Sequence, residues 1–393
     1  APSYPITRAR EERAGMRPRL KSRHVIVTGD AVVIYRTPTE RIHLADDNGQ
    51  VAALVDLLAQ GTRPVAELPD ALSRLGHPVA TADVRDSIDA LDAMGLLEDS
   101  DAGADPETLR RHESNLRFYD TFADLHRSSR DLHRAVADAS VLVIGAGGLG
   151  GGVLQSLLGL GVGRVRIVDF DTVEPKNLAR QFIYGTAEIG RPKVAAAAEW
   201  ARRYAPQTVV DAVAQEVTDV ETIRALGADV DLVVLAADQP AGMQLITNEA
   251  CFALDVPYVA GGFTMSTLFY WSVRPGHTPC RLCLELHRDD DGRGRDGWVR
   301  DGLRRSIDPV NSATGPVAQL LSGLISLEAQ RYLSGMEEPV AAARYQTVEV
   351  GGRMRVESTV WRRHPDCGLC AGRAAGVPPR PVDPDARGTE GDR

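Results

Sequence analysis

The first hundred residues carry short apolar runs with frequent breaks. Val25-Ile26-Val27 and Val32-Val33-Ile34 flank Gly29-Asp30, a hairpin signal, and residues 41–44 offer a third strand. Val51, Leu54, Val55 and Leu58 then recur at helical spacing up to Gly61. A second short helix is predicted over 65–75. A third, over 82–94, carries Val84, Ile88 and Leu91 on one face and stops at Gly95. Three strands followed by three short helices describe a small winged-helix-like domain over residues 21–99. Residues 1–20 mix Pro, Arg and Glu without apolar period and read as a flexible arm. Residues 100–106 are small and acidic, a linker by composition. The stretch 107–139 reads as helical, with Leu116, Phe118, Phe122, Leu125, Leu132 and Val136 as its apolar positions.

Beyond residue 140 the rhythm changes. Apolar strands at 141–144, 165–168, 209–213, 232–236 and 258–260 alternate with helical segments at 149–160, 194–204 and 243–254. This is the pattern of an α/β doubly wound, Rossmann-like sheet, whose ligand sits at the carboxyl ends of the strands. The segment 284–311 breaks the pattern with Asp289, Asp290, Asp291, Arg293, Arg295 and Asp296. It reads as a mobile crossover loop near the site or as a disordered insert. A helix returns over 315–333. A hairpin joined at Gly351-Gly352 spans 348–360, and the tail 375–393 reads as disordered.

Composition narrows the class. The 393 residues suffice for two or three domains, and 43% hydrophobic with 25% charged residues is an ordinary globular balance. A formal charge of -9 argues against a nucleic-acid binder. No run approaches the about 20 apolar residues of a membrane span, and no signal peptide is visible, so a cytoplasmic location is expected. Four of the five cysteines form two pairs of one spacing, Cys280-x-x-Cys283 and Cys367-x-x-Cys370. Two such knuckles suit a closed tetrahedral zinc site. Unpaired core cysteines or one disulfide are the alternatives. Arg281 beside the first pair weakly offsets thiolate charge. Cys251, alone on a helical pattern, reads as a small buried residue.

The candidate chemistry begins where the strand 141–144 runs into Gly145-Ala146-Gly147-Gly148-Leu149-Gly150, a glycine turn that opens a helix and makes a phosphate site. Gly145 permits the tight turn, Gly147 close approach to a ligand, and Gly150 close packing of helix on strand. Asp169 ends the next strand, where a carboxylate meets a ribose hydroxyl. A dehydrogenase fits these features equally well. Arg180, Lys193 and Asp238 favour a triphosphate, which needs cations and a metal ligand.

The ordered set Asp169-x-Asp171-x-Val173, Leu178-x-Arg180-Gln181 and Gly190-x-Pro192-Lys193 resembles the hallmark of the MoeB/ThiF branch of the ubiquitin-activating enzyme superfamily. The resemblance covers about residues 115–370. It implies an enzyme that adenylates carboxylates with ATP and magnesium, and a homodimer. On this likeness Asp169 binds the ribose and Asp238 holds magnesium. Asn177, Arg180, Gln181 and Lys193 surround the phosphates, and a zinc sits on the four paired cysteines. Relatives carry an Arg-Tyr-x-Arg-Gln segment upstream, one arginine of which reaches ATP. Here Arg117 fits the first arginine, whereas Asp120 stands at the second, leaving Arg127 or Arg130 as substitutes.

The pattern over 21–99 is similar to the PqqD-like peptide-recognition element of enzymes that modify ribosomally made peptides. That likeness implies a leader peptide added as a strand beside the hairpin, near Ile88 and Leu91. DNA binding is disfavoured, because the third helix carries Asp83, Asp86, Asp89 and Asp92 against Arg85 alone. Three functions follow as expectations. The first is adenylation of a carboxylate on a leader-bound precursor peptide, for later capture by a nucleophile. The second is adenylation of a sulfur-carrier protein C-terminus. The third is a non-catalytic leader-binding scaffold of an azole-forming maturase.

Overall fold

The strand Ser140–Ile144 is apolar at four consecutive positions because both of its faces are covered. Leu142 and Ile144 join Val233, Leu235, Ile223, Met243 and Phe252 in one cluster, whereas Val141 and Val143 are buried outside it. The computed structural model describes residues 15–21, 24–36, 39–100, 106–292 and 313–370. Among them, one sheet runs in the order Arg355–Val360, Arg344–Glu349, Thr267–Val273, Tyr258–Thr264, Leu232–Leu235, Ser140–Ile144, Arg164–Val168, Val209–Val213. The five strands from Tyr258–Thr264 to Val209–Val213 are parallel. The other three are added antiparallel. Gly148–Leu160, Lys193–Tyr204, Val220–Leu226 and Met243–Leu254 are the crossover helices, so the architecture is the expected α/β, Rossmann-like one. Arg164 and Arg166 alternate with buried Val165 and Ile167 and pair with Asp211 and Asp229, which satisfies two cations within an otherwise apolar strand.

Packing divides the chain into two compact units, Ala1–Asp138 with Ser334–Glu338, and Ala139–Leu333 with Pro339–Arg393. The first is a small strand-helix domain. Strands Val25–Val27, Ala31–Tyr35 and Arg41–Ala45 form an antiparallel meander. Helices Gln50–Gln60, Leu68–Arg74 and Thr81–Ala93 follow, at the places the spacing predicts. Leu54, Leu58, Leu72, Val84, Ile88 and Leu91 supply its core with Val32 and Ile34.

Several elements depart from expectation. Residues 15–20 belong to the stretch read as an arm, yet Pro18–Leu20 pairs with Leu97–Asp99, and Met16 and Leu20 are buried. A three-residue strand is too short to show a period, which is why composition concealed it. The stretch 107–139 is three helices, Pro106–Arg111, Glu113–Tyr119 and Ser129–Ala137, the last started by a capping box of Ser128 with Asp131. Leu125 joins the core of the N-terminal domain, the amide of Leu125 donates to Asp92, and Glu98 accepts from Ser129. This stretch therefore packs with what precedes it. The expected crossover loop begins as a helix, Arg281–Gly292, because Leu282, Leu284 and Leu286 pack against the sheet cluster. The rest of that loop, the greater part of the linker and the tail lie outside the described residues. The strand Thr267–Val273 was not foreseen. Its Thr-Leu-Phe-Tyr-Trp-Ser-Val run is apolar nearly throughout and shows no alternation. Among the described residues no helix is long and apolar enough to cross a membrane.

Candidate active site

Three adjacent parallel strands end at one rim of the sheet and deliver Gly145, Asp169 and Asp238 there. The glycine turn has steric reasons for two of its glycines. Gly145 has φ +101°, and a Cβ on it would lie 2.8 Å from the Ala236 carbonyl oxygen. On Gly150 a Cβ would fall 1.8 Å from the Gly145 carbonyl oxygen, so only glycine lets the helix Gly148–Leu160 start this close to the strand. Among the described residues only the Gln181 amide nitrogen comes near a Cβ placed on Gly147, at 3.8 Å, while Gly148 lies against Arg180. The first-turn amides of that helix lack partners four residues back, a ready anion site.

Asp169 braces this turn. Its Oδ2 accepts from the Ala146 amide at 2.7 Å and its Oδ1 from the Asp171 amide at 2.8 Å. The buried Lys193 ammonium lies 2.6 Å from Asp171 Oδ2 and 4.0 Å from Asp169 Oδ1. The two distant halves of the sequence motif meet through backbone. Val173 donates to Arg191, Gly190 to Val173 and Lys193 to Asp171, and Gly190 takes φ +85° in the turn. Among the described residues the Arg180 side chain reaches only the Lys176 carbonyl, at 3.4 Å. Gln181 is buried with Oε1 lacking a partner among the described residues. Asn177 is also buried, and its Oδ1 accepts from the Glu174 amide at 2.9 Å, so one of its polar atoms closes a turn. Asp238 is exposed and engages no partner among the described residues. An open carboxylate beside a glycine turn is the donor chemistry a magnesium ion takes.

Arg117 belongs to the N-terminal unit, where it lies 3.7 Å from both Glu113 and Asp120. The alternative arginines have structural partners. Arg127 donates to the carbonyls of Ser334 and Gly335, and Arg130 to that of Ser100. Sequence reasoning missed Tyr184, whose hydroxyl donates to the Ala146 carbonyl at 2.9 Å. Its only signal was a tyrosine three residues beyond the Arg180-Gln181 pair.

The four paired cysteines converge. All are buried, and neighbouring sulfurs lie 3.8 Å (Cys280 to Cys283), 3.5 Å (Cys280 to Cys367), 3.2 Å (Cys283 to Cys370) and 3.6 Å (Cys367 to Cys370) apart. None is in a disulfide. A tetrahedron with Zn–S bonds of about 2.3 Å has edges of about 3.8 Å, so the thiols suit zinc. Hydrogen bonding from Cys280 and Cys370 holds the Cys283 thiol well below the usual range, which favours a thiolate there. Trp361 donates its indole N–H to the Cys280 carbonyl, and His364 binds Asp290 at 2.8 Å beside the second knuckle. Arg281 is directed elsewhere than expected, to Gln244, Glu285 and the Trp271 ring. Cys251 is fully buried, and desolvation raises its pKa well above the thiol range, as suits a packing residue.

Residues 119–369 match the model of the ThiF family. The molybdopterin-synthase adenylyltransferase of Escherichia coli is 29% identical over 242 residues, which are 61% of this chain and 90% of that protein. The sulfur carrier protein adenylyltransferase of Thermus thermophilus is 32% identical over 239 residues, 59% of this chain and 82% of that protein. In fold, the structure of E. coli MccB matches with a TM-score of 0.72 over 91% of this chain and 98% of MccB, at 17% identity. MccB, the microcin C7 biosynthetic enzyme, has also been solved with ATP and with N-formylated MccA. The chain belongs to the ThiF family, and it is an ATP-dependent adenylating enzyme.

Proposed function

We propose that the enzyme adenylates a carboxylate of a ribosomally made precursor peptide, which it holds by a leader segment on its N-terminal strand-helix domain. One observation carries this reading. The sulfur-carrier adenylyltransferases are matched over most of their own length by about three fifths of this chain, whereas the MccB fold extends over nearly all of it. The remainder holds three strands followed by three helices, an order that supports the PqqD-like reading. Its edge strand Val25–Val27 exposes Ile26 and Val27 at 51% and 60%. The Tyr35 amide bonds the His24 carbonyl, so ladder alternation leaves the amides of Val25 and Val27 on the free side. An added peptide strand satisfies them.

In the chemical step a carboxylate oxygen attacks the ATP α-phosphorus, the bond to the bridging oxygen breaks, and pyrophosphate leaves. Two anions must meet, so the site's task is to place and screen them. The amides of the glycine turn and the helix dipole supply a positive end, and Asp169 accepts a ribose hydroxyl. Arg180 and Lys193 neutralise the β- and γ-phosphates, which requires Lys193 to exchange Asp171 for phosphate. Asp238 would hold a magnesium ion, which would supply further screening of negative charge on the phosphates. A zinc ion held by the four cysteines would serve the fold and take no part in the chemistry.

Replacing Val27 by proline tests the peptide reading, because it removes one outward amide and no ladder bond. Peptide affinity by fluorescence anisotropy is expected to fall about tenfold, with ATP affinity unchanged. An unchanged peptide affinity counts against strand addition. If exchange of labelled pyrophosphate into ATP responds to a sulfur-carrier protein and to no peptide, the sulfur-carrier reading replaces this one. The scaffold reading wins if neither substrate supports exchange. A homodimer is also part of the proposal, with Leu320 and Leu327 exposed at heptad spacing on the helix Gly315–Ser334. Light scattering at micromolar concentration is expected to give twice the 42.4 kDa chain mass.

A further inference from the structure

Two successive peptide groups of the glycine turn, those on either side of Ala146, are each held by a side chain. Ala146 is fully buried; its N–H donates to Asp169, and its carbonyl accepts from the hydroxyl of Tyr184. Tyr184 is itself 6% exposed, and burial pushes its phenol well above the ordinary tyrosine range, so it remains a donor at working pH. The same residue is tied to the phosphate segment. Its amide bonds the Gln181 carbonyl at 3.2 Å, and the amides of Arg180 and Gln181 both bond the Asn177 carbonyl.

We propose that Tyr184 is a positioning residue that locks the glycine turn to the Arg180-Gln181 segment, so that the ribose and phosphate subsites keep one spacing. The inference rests on the turn being the ATP site and not on which carboxylate is activated. Ala146 lies between Gly145, in the left-handed region, and Gly147, whose approach side is open among the described residues. Rotation of the Ala146–Gly147 peptide would swing the Gly147 N–H away from a phosphate. Asp169 holds one side of Ala146 and Tyr184 the other. Without the hydroxyl, the Ala146 carbonyl is left buried and unpaired, and the turn relaxes to satisfy it.

The test is titration calorimetry of ATP with the full chain, alongside exchange kinetics. Tyr184→Phe keeps the ring, so the fold is retained; it is expected to weaken ATP binding about tenfold. The KM for ATP rises accordingly, kcat changes less than threefold, and the KM for the carboxylate substrate is unchanged. Because the two groups hold adjacent peptides that share Ala146, Tyr184→Phe combined with Asp169→Asn is expected to lose less than the sum of the single effects. Ile183→Val serves as the control for general softening. Ile183 is buried beside Tyr184 and packs on Gly151, yet it makes no contact of this kind with Ala146. An ATP affinity within twofold of wild type in Tyr184→Phe overturns the proposal, as does strict additivity with Asp169→Asn. An equal loss in Ile183→Val also overturns it, because that would mark a structural effect. Wild type failing to bind ATP would instead remove the nucleotide reading itself.

Discussion

Replacing Asp238 by alanine is expected to abolish pyrophosphate exchange, by about a thousandfold or more, while the protein stays folded. Asp238 is exposed and engages no partner among the described residues, so its removal leaves no buried group unpaired. It stands just past the strand Leu232–Leu235, at the rim shared with Gly145 and Asp169. If Asp238 holds magnesium as proposed, losing that screening would cost about 4 kcal/mol of transition-state stabilisation, and each 1.36 kcal/mol is tenfold in rate. The melting temperature in the absence of nucleotide should stay within about 2 °C of wild type, as for a surface substitution. Exchange at more than a tenth of the wild-type rate would mean that another group holds the magnesium.

Cys367→Ser is expected to have the opposite profile, with the loss falling on stability. Structural zinc contributes on the order of 10–16 kcal/mol in small zinc-binding peptides. Forfeiting even a third of that, about 4 kcal/mol, lowers the melting temperature by about 8–16 °C in a domain of this size. Metal analysis should find one zinc per chain in wild type and less in the variant. The affinity of the remaining folded protein for ATP should be unchanged, for a topological reason. Val273 pairs with Tyr258, the first residue of its parallel neighbour, so the chain leaves Thr267–Val273 at the sheet end opposite Asp238. Arg355–Val360 runs in the same direction as Thr267–Val273, and both knuckles follow from that end. Zinc-free wild type, or an unchanged melting temperature in Cys367→Ser, would refute a structural metal.

The N-terminal domain gains a constraint that bears on truncation experiments. Pro18–Leu20 pairs with Leu97–Asp99, Lys21 donates to the Ala123 carbonyl, and Glu98 accepts from Ser129. A cut near residue 100 severs the last two ties, and a fragment beginning at residue 21 lacks the first strand. Point substitutions on the edge strand therefore probe peptide binding more cleanly than a deletion.

The glycine turn, the Asp169-x-Asp171 pair, Arg180-Gln181 and the two cysteine pairs were legible in the sequence because each depends on local identity at fixed spacing. Backbone sterics at Gly145 and Gly150 admit no other residue, and a buried thiol tetrahedron needs its four cysteines. Strand–helix alternation was equally plain, since strands covered on both faces, such as Ser140–Ile144 and Leu232–Leu235, are apolar nearly throughout. What lay beyond reach was pairing between distant segments. Nothing in the local pattern says that Pro18–Leu20 meets Leu97–Asp99, that Arg281–Gly292 is held helical by Leu282 and Leu284, or that residues 106–138 pack with the N-terminal domain. Each is decided by surface buried between parts far apart in the chain, which a short window cannot contain. Tyr184 belongs to the same class. Its residue type is compatible with any buried position, and only the tertiary structure sets its hydroxyl 2.9 Å from the carbonyl of Ala146.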